Sequence, residues 1–266
     1  MTFDSNLSIT YIGTATTIIE IDGARFLTDP AFDNATTYDM GIAVLEKTLD
    51  PGLKIEQLPP IDAILLSHED HPDNLDATGR TLLPGRRILT TMDGAKNLSL
   101  YPGVSGLKPW ETIAIELGGK NFTITATPCE HMLGGEVIGF LLHTNSLGTG
   151  VNGLPNVIYF GGDTIYIKEL EQIGEKYNVK SFICNLGVAY GPPDGKIHKE
   201  PYKITMSGKD AANLSKKIGA DVIIPVHFEE WTHFQQGREA LQKDFEEEGC
   251  LEKVVWLERG KTTKIF

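Results

Sequence analysis

Four short apolar runs, each breaking off into residues that bind protons and metals, restrict this chain more than any other feature of its sequence. The run Ile61-Asp62-Ala63-Ile64-Leu65-Leu66 passes directly into SHEDHPDNLD. The alternating run Asn121 to Thr127 passes into PCEH, Val157 to Phe160 into GGDT, and Val222 to Val226 into HFEEW. Short β-branched and aromatic runs bounded by polar punctuation read as strands. Their C-terminal ends then deliver His68, His71, Asp73, His131, Asp163 and His227. In layered α/β folds such ends converge on the ligand site, so residues far apart in sequence are expected to meet. Crowded carboxylates are costly to bury unless something pairs with them. Imidazoles and carboxylates mixed in this ratio suit one or two divalent ions, zinc first, with manganese or iron as alternatives.

Around these runs the chain divides into two halves of similar kind. The first opens as a meander, with strands Leu7 to Ile12, Thr16 to Ile21 and Ala24 to Leu27, the last two joined by the turn Asp22-Gly23. A long connection from Pro30 to Pro60, with one short helix expected around Ala43 to Leu49, is a candidate wall of a site. Further strands are expected at Arg87 to Leu89 and Thr112 to Ile115. The second half alternates: a helix from Tyr166 to about Tyr177, strand Ser181 to Asn185, a helix from Ser207 to Ile218, strand Val222 to Val226, and a helix from Gln236 to Glu248. Ser207 with Asp210 three residues on has the form of a capping box. Thr144 to Pro155, rich in Gly and Asn, reads as a surface loop. Two β-rich runs each followed by helices imply two sheets covered by helices. No linker or low-complexity segment divides residues 1–266, so a single domain is expected.

Composition bounds the function. Hydrophobic residues make up 41% of 266, enough for a real core. Lys+Arg 24 against Asp+Glu 36 gives a net charge of −12, which opposes a broad hold on nucleic acid or anionic membranes. The expected partner is therefore a small-molecule substrate, with no nucleic acid and no membrane. No secretory leader follows Met1, and no stretch of eighteen apolar residues occurs, so a cytoplasmic location is expected. Cys129, Cys184 and Cys250 lack C-x-x-C spacing, which suits reduced thiols.

The order SHEDHPDNLD, TPCEH, GGDT, IPVHFEEW, each at a strand end, resembles the metallo-β-lactamase-fold hydrolases, whose first motif is H-x-H-x-D-H followed by a lone His, a lone Asp and a final His. The opening YIGTATTIIEIDGARFLTDP is similar to that of the branch containing the ascorbate-phosphate lactonase. The resemblance implies an α/β four-layer αβ/βα sandwich. It implies His68, His71 and His131 around one ion, Asp73 and His227 around a second, and Asp163 bridging both. Asp73 would be catalytic, orienting a metal-bound hydroxide that attacks a small ester, lactone, amide or phosphodiester. The chain departs from the pattern twice. Two residues rather than one separate His68 from His71, and Asn74 stands where the family places its last motif histidine. An amide oxygen is a poorer zinc ligand than an imidazole, so a weaker second site is implied. Where that branch carries a histidine before the late helix, this chain has Ile204 and Thr205, with His198 nearby at different spacing.

Other residues have simpler readings. His143 and His198 are expected as ordinary strand-end or surface histidines, and Glu69 and Asp70 as solvated or outer carboxylates. Asp163 could also cap a following helix. Asp29 before Pro30 can fix its turn or orient a ligating histidine. Cys129 is expected to be simply small and buried. Trp231, His233 and Phe234 read as an aromatic loop closing the core, with pocket lining as the alternative. HEDH is one residue short of the H-E-x-x-H zinc-protease motif, and no nucleophile elbow or phosphate loop is present. Two other function classes stay open: an iron-dependent oxidoreductase on the same scaffold, and a non-catalytic metal-binding module.

Overall fold

The computed structural model describes residues 4–41, 44–132, 135–193, 195 and 197–266. Among these, seven strands form one sheet in the spatial order Thr262–Lys264, Leu7–Gly13, Thr16–Ile21, Ala24–Thr28, Ala63–Leu65, Arg87–Thr91, Val104–Leu107. Six form the other, in the order Val222–Val226, Asn178–Asn185, Asn156–Phe160, Ile138–Thr144, Lys120–Pro128, Thr112–Leu117. The tight hairpin after Ile21 sets the antiparallel register Ile18↔Leu27 and Ile19↔Phe26. From Ala24–Thr28 onward the first sheet is parallel, as are the three strands that end the second.

The central strands of both sheets are buried on both faces, which explains why they read as nearly continuous apolar runs. Alternate residues separate cleanly into two layers. Ile9, Ile19, Phe26, Ala63 and Leu65 point into the core between the sheets, meeting Phe122, Ile124, Phe140 and Ile158. Phe26 and Phe122 meet edge to face there, with centroids 5.0 Å apart. The intervening Ile18, Leu27, Ile64 and Leu66 point outward under Leu75, Leu82 and Leu98, beside the short helices Ala77–Arg80 and Met92–Asn97. On the far side, Leu141, Val157, Tyr159 and Phe182 pack against Ala211, Leu214 and Ile218 of helix Gly208–Ile218 and Leu241 and Phe245 of helix Arg238–Glu247. The result is the expected four-layer αβ/βα sandwich. No helix among the described residues is long and apolar enough to cross a membrane.

The helix expected around Ala43 to Leu49 is not formed. Val44–Lys47 is a strand paired with Thr36–Asp39, and Ala43 lies outside the described residues. Val44 and Glu46 face solvent while Lys47 is buried, its Nζ donating to the carbonyls of Ala31 and Asp33, so the period is two. The helix expected from Tyr166 to Tyr177 shrinks to a 3-10 turn Lys168–Glu171 and a short helix Gln172–Lys176. Gly174 within it lies against the backbone of Lys217 and Ile218, where a Cβ would come within 2.8 Å of a carbonyl oxygen. The strand Ile138–Thr144 has no counterpart among the expected elements. It is buried on both faces and carries Gly139, so it shows no alternation.

Candidate metal centre

The parallel strands stop on one side of the sandwich, and their ends carry the polar residues. Leu65 is followed by Ser67 and His68, Pro128 by His131, Phe160 by Asp163, and Val226 by His227. Two further strand ends add Asp29, after Ala24–Thr28, and Asn185, at the end of Asn178–Asn185. Asp29 and His227 sit at positive φ, 32° and 60°, a costly backbone for non-glycine residues that the surrounding contacts hold in place. Those contacts include Thr16 Oγ1 donating to the Asp29 carbonyl at 2.6 Å and His227 N–H donating to the Thr14 carbonyl at 2.8 Å.

Six expected residues gather into two triads, His68 with His71 and His131, and Asp73 with Asp163 and His227. Within each triad the potential ligand atoms all lie within 4.8 Å of one another. His68 Nε2 is 3.0 Å from His71 Nδ1, which is 3.4 Å from His131 Nε2. His227 Nε2 is 3.3 Å from both Asp73 Oδ2 and Asp163 Oδ2. Asp163 Oδ2 also lies 4.0 Å from His68 Nε2, between the triads. The extra residue between His68 and His71 therefore does not keep both rings from one cluster.

Outer partners fix which ring nitrogen faces inward. His68 Nδ1 bonds Ser67 Oγ at 2.9 Å, and Ser67 Oγ donates to Asp29 Oδ2 at 2.8 Å. His131 Nδ1 donates to the Ile204 carbonyl at 2.7 Å, and His227 Nδ1 to the Leu186 carbonyl at 3.2 Å. With Nδ1 bonded outward in each, Nε2 is the ring nitrogen that faces the centre, the orientation metal-ligating histidines use. His227 Nε2 is fully buried and, though close to two carboxylates, makes no hydrogen bond among the described residues.

The two triads differ in their electrostatics. Burial, reinforced by His71, holds His68 well below the usual imidazole range, and burial also lowers His131. Burial alone would lower His227, but Asp163 and Asp73 outweigh it and push it up to about 9. Burial works against ionised Asp73, yet the neighbouring His227 and His233 hold it well below the carboxylate range; His227, His131 and His68 likewise lower Asp163 against its burial. Ligands about 2.0–2.1 Å from a tetrahedral zinc stand roughly 3.4 Å apart. The separations of 3.0 to 3.4 Å between imidazole nitrogens in the first triad, and of 3.3 Å in the second, fit that spacing.

The remaining residues fall elsewhere. Asn74 is fully buried, its Nδ2 donating to Asp29 Oδ2 at 3.1 Å and its Oδ1 unpartnered among the described residues. Asp163 caps no helix; its Oδ1 accepts from Asn185 Nδ2 at 2.6 Å. Glu69 pairs with Arg80 at 2.9 Å and Asp70 is exposed. His143 Nδ1 bonds the Asn156 carbonyl, and the His198 ring stacks on Tyr202 outside both triads. The Cys129 thiol turns to the Gly161 carbonyl, and burial pushes its pKa up. The aromatic loop divides: Phe228 and Trp231 are buried, whereas His233 lines the cleft. That cleft is lined by the polar His71, Asp73, His131, Asp163 and His227 and by Met40, Leu45, Tyr190, Pro192 and Ile204.

A family model described as the beta-lactamase superfamily domain matches residues 24–228. A metal-dependent hydrolase of Methanopyrus kandleri is 26% identical over 264 residues, covering 96% of this chain and 99% of that protein. The N-acyl-phosphatidylethanolamine-hydrolyzing phospholipase D of Saccharomyces cerevisiae is 27% identical over 274 residues, covering 95% of this chain and 55% of that protein. The chain likewise spans 59% of the length of mycobacterial relatives to which it is 28% identical. The solved isothiocyanate hydrolase from Delia radicum gut bacteria superposes with a TM-score of 0.77 at 21% identity, covering 96% of this chain and 98% of that one. With more than half of its length matched by the family model and both sheets in place, this chain belongs to the beta-lactamase superfamily and has the metallo-β-lactamase fold.

Proposed function

We propose that the chain is a metal-dependent hydrolase of a small ester, lactone, amide or phosphodiester. The observation that carries this reading is the pair of adjacent triads with Asp163 between them and Nε2 of His68, His131 and His227 turned inward. His68, His71 and His131 would hold one divalent ion, Asp73 and His227 a second, and Asp163, lying between the triads, would serve either. Zinc fits the donor set best, and manganese or iron fits a carboxylate-rich second site. A divalent ion here supplies an acidified water and positive charge for a developing oxyanion. Asp73, with its carboxylate ionised and facing the cleft, orients that water. The cleft's apolar lining, from Met40 to Ile204, receives the carbon skeleton and excludes bulk water from the reacting atoms. The named relatives hydrolyse a phospholipid and an isothiocyanate, which supports hydrolysis as the reaction class and leaves the substrate class open.

The test is a substrate panel run on protein loaded separately with zinc, manganese and iron. Hydrolysis of one class is expected, falling in His71→Ala and Asp163→Ala by more than the roughly 10- to 100-fold that loss of an outer partner costs. Oxygen-dependent turnover confined to the iron form would instead establish an oxidoreductase. Tight metal binding without turnover across the panel would establish a binding module.

A further inference from the structure

We propose that His233 is a fourth protein ligand of the second ion, supplying the imidazole that position 74 withholds. The proposal rests on the two-ion reading above. His233 Nε2 lies 3.6 Å from Asp73 Oδ2, on the carboxylate oxygen that also faces His227 Nε2 at 3.3 Å. The three contacts of 3.3, 3.3 and 3.6 Å link Asp163, His227, Asp73 and His233 in a chain, each step close to the roughly 3.4 Å edge of a tetrahedral site, with His233 at the margin of the cluster that Asp73, Asp163 and His227 form. Neither ring nitrogen is committed elsewhere: Nδ1 is buried with no hydrogen-bond partner among the described residues.

The loop holds the ring in this position. Thr232 N–H donates to the Glu46 carbonyl at 3.1 Å and Gln235 N–H to the Gly187 carbonyl at 2.8 Å, pinning the backbone on both sides of His233. Trp231 Nε1 donates to Thr14 Oγ1 at 2.9 Å, and the His233 ring rests against Trp231 and Phe234, with centroids 5.7 and 4.5 Å away. An imidazole with its rotamer set by neighbours loses little freedom on binding an ion. Asn74, by contrast, is drawn toward Asp29 and lies outside the cleft lining. A second ligand histidine has thus moved from the first motif to a loop more than 150 residues later.

Metal counting during stepwise chelator titration of the zinc-loaded full chain tests this. Wild-type protein should hold two ions. His233→Ala should keep the first at unchanged affinity and bind the second more weakly by at least tenfold, about the least that removing an outer partner costs. Thr232→Ala, on the same loop, should keep both ions at wild-type affinity. Cobalt-substituted His233→Ala should show an altered visible spectrum for the second site alone. Two ions of unchanged affinity in His233→Ala overturn the role of His233 and leave the proposed function standing. An equal loss in Thr232→Ala assigns the effect to the loop and overturns it as well. A wild-type protein that takes up one ion or none overturns the two-ion reading and the role of His233 with it.

Discussion

Asp29 touches none of the six candidate ligands, yet it sets the orientation of one of them. Its two carboxylate oxygens accept from Ser67 N at 2.6 Å, Ser67 Oγ at 2.8 Å and Asn74 Nδ2 at 3.1 Å, and Ser67 in turn holds His68 Nδ1. Burial, with the charge of Asp163 adding, pushes its carboxyl up to about 8 although the Ser67 bonds pull the other way. In Asp29→Asn one acceptor becomes a donor and faces another donor. The protein should stay folded while its first ion binds roughly 10- to 100-fold more weakly, read by competition with a chromophoric chelator. Unchanged affinity would show that Asp29 only fixes the turn before Pro30. The candidate ligands at strand ends were legible in the sequence because residue type and strand context coincided there. Their outer partners were not: a serine just before the first motif histidine, an asparagine ending a strand and the carbonyl of Ile204 carry no local sign of where they will point. His233 was legible only as part of an aromatic loop, since nothing local tells a ring that fills the core from one that turns to the cleft.

Among the helices, Gly208–Ile218 follows its sequence most closely. Ser207 Oγ accepts from the Asp210 N–H and Asp210 Oδ2 accepts back from Ser207 N–H at 2.9 Å, the reciprocal capping box that the spacing predicts. Lys203 Nζ adds a further donor to Asp210 at 2.6 Å. Ser207→Ala should cost about 1 kcal/mol of unfolding free energy in urea. Burial works against ionised Asp210, but Lys203 and Ser207 outweigh it and hold its carboxyl below the usual 3.8. A group depressed in the folded state stabilises above its unfolded value and loses that contribution as pH falls through the folded one. Asp210→Asn should therefore be less stable than wild type at pH 7, and the gap should narrow below about pH 3.8; a gap that widens in acid would contradict the pairing. Elements held by local signals of this kind were readable. Val44–Lys47 and Ile138–Thr144 were not, because four residues cannot separate a helical period from a strand's, and a strand buried on both faces has no alternation to read.

At the scale of the whole molecule, the sandwich brings strand ends from two sheets to one place, and its middle layer keeps the sheets in register. Phe122 is fully buried between them against Phe26. Phe122→Ala should cost about 3–5 kcal/mol in a denaturant titration; a cost near zero would show that the sheets do not depend on this contact. The layer order could be inferred from two β-rich halves each followed by helices, whereas the junction between sheets could not, because it depends on which face of each doubly buried strand turns inward. What the layers hold in common is the centre at their edge, and anomalous diffraction from crystals grown with zinc, recorded on both sides of the zinc absorption edge, tests that centre most directly. Two peaks are predicted, each about 2.0–2.3 Å from its ligands: one at His68, His71 and His131, the other at Asp73 and His227, with Asp163 in contact with both. Well-ordered crystals with zinc bound elsewhere, or with these six side chains clear of any peak, would contradict the account.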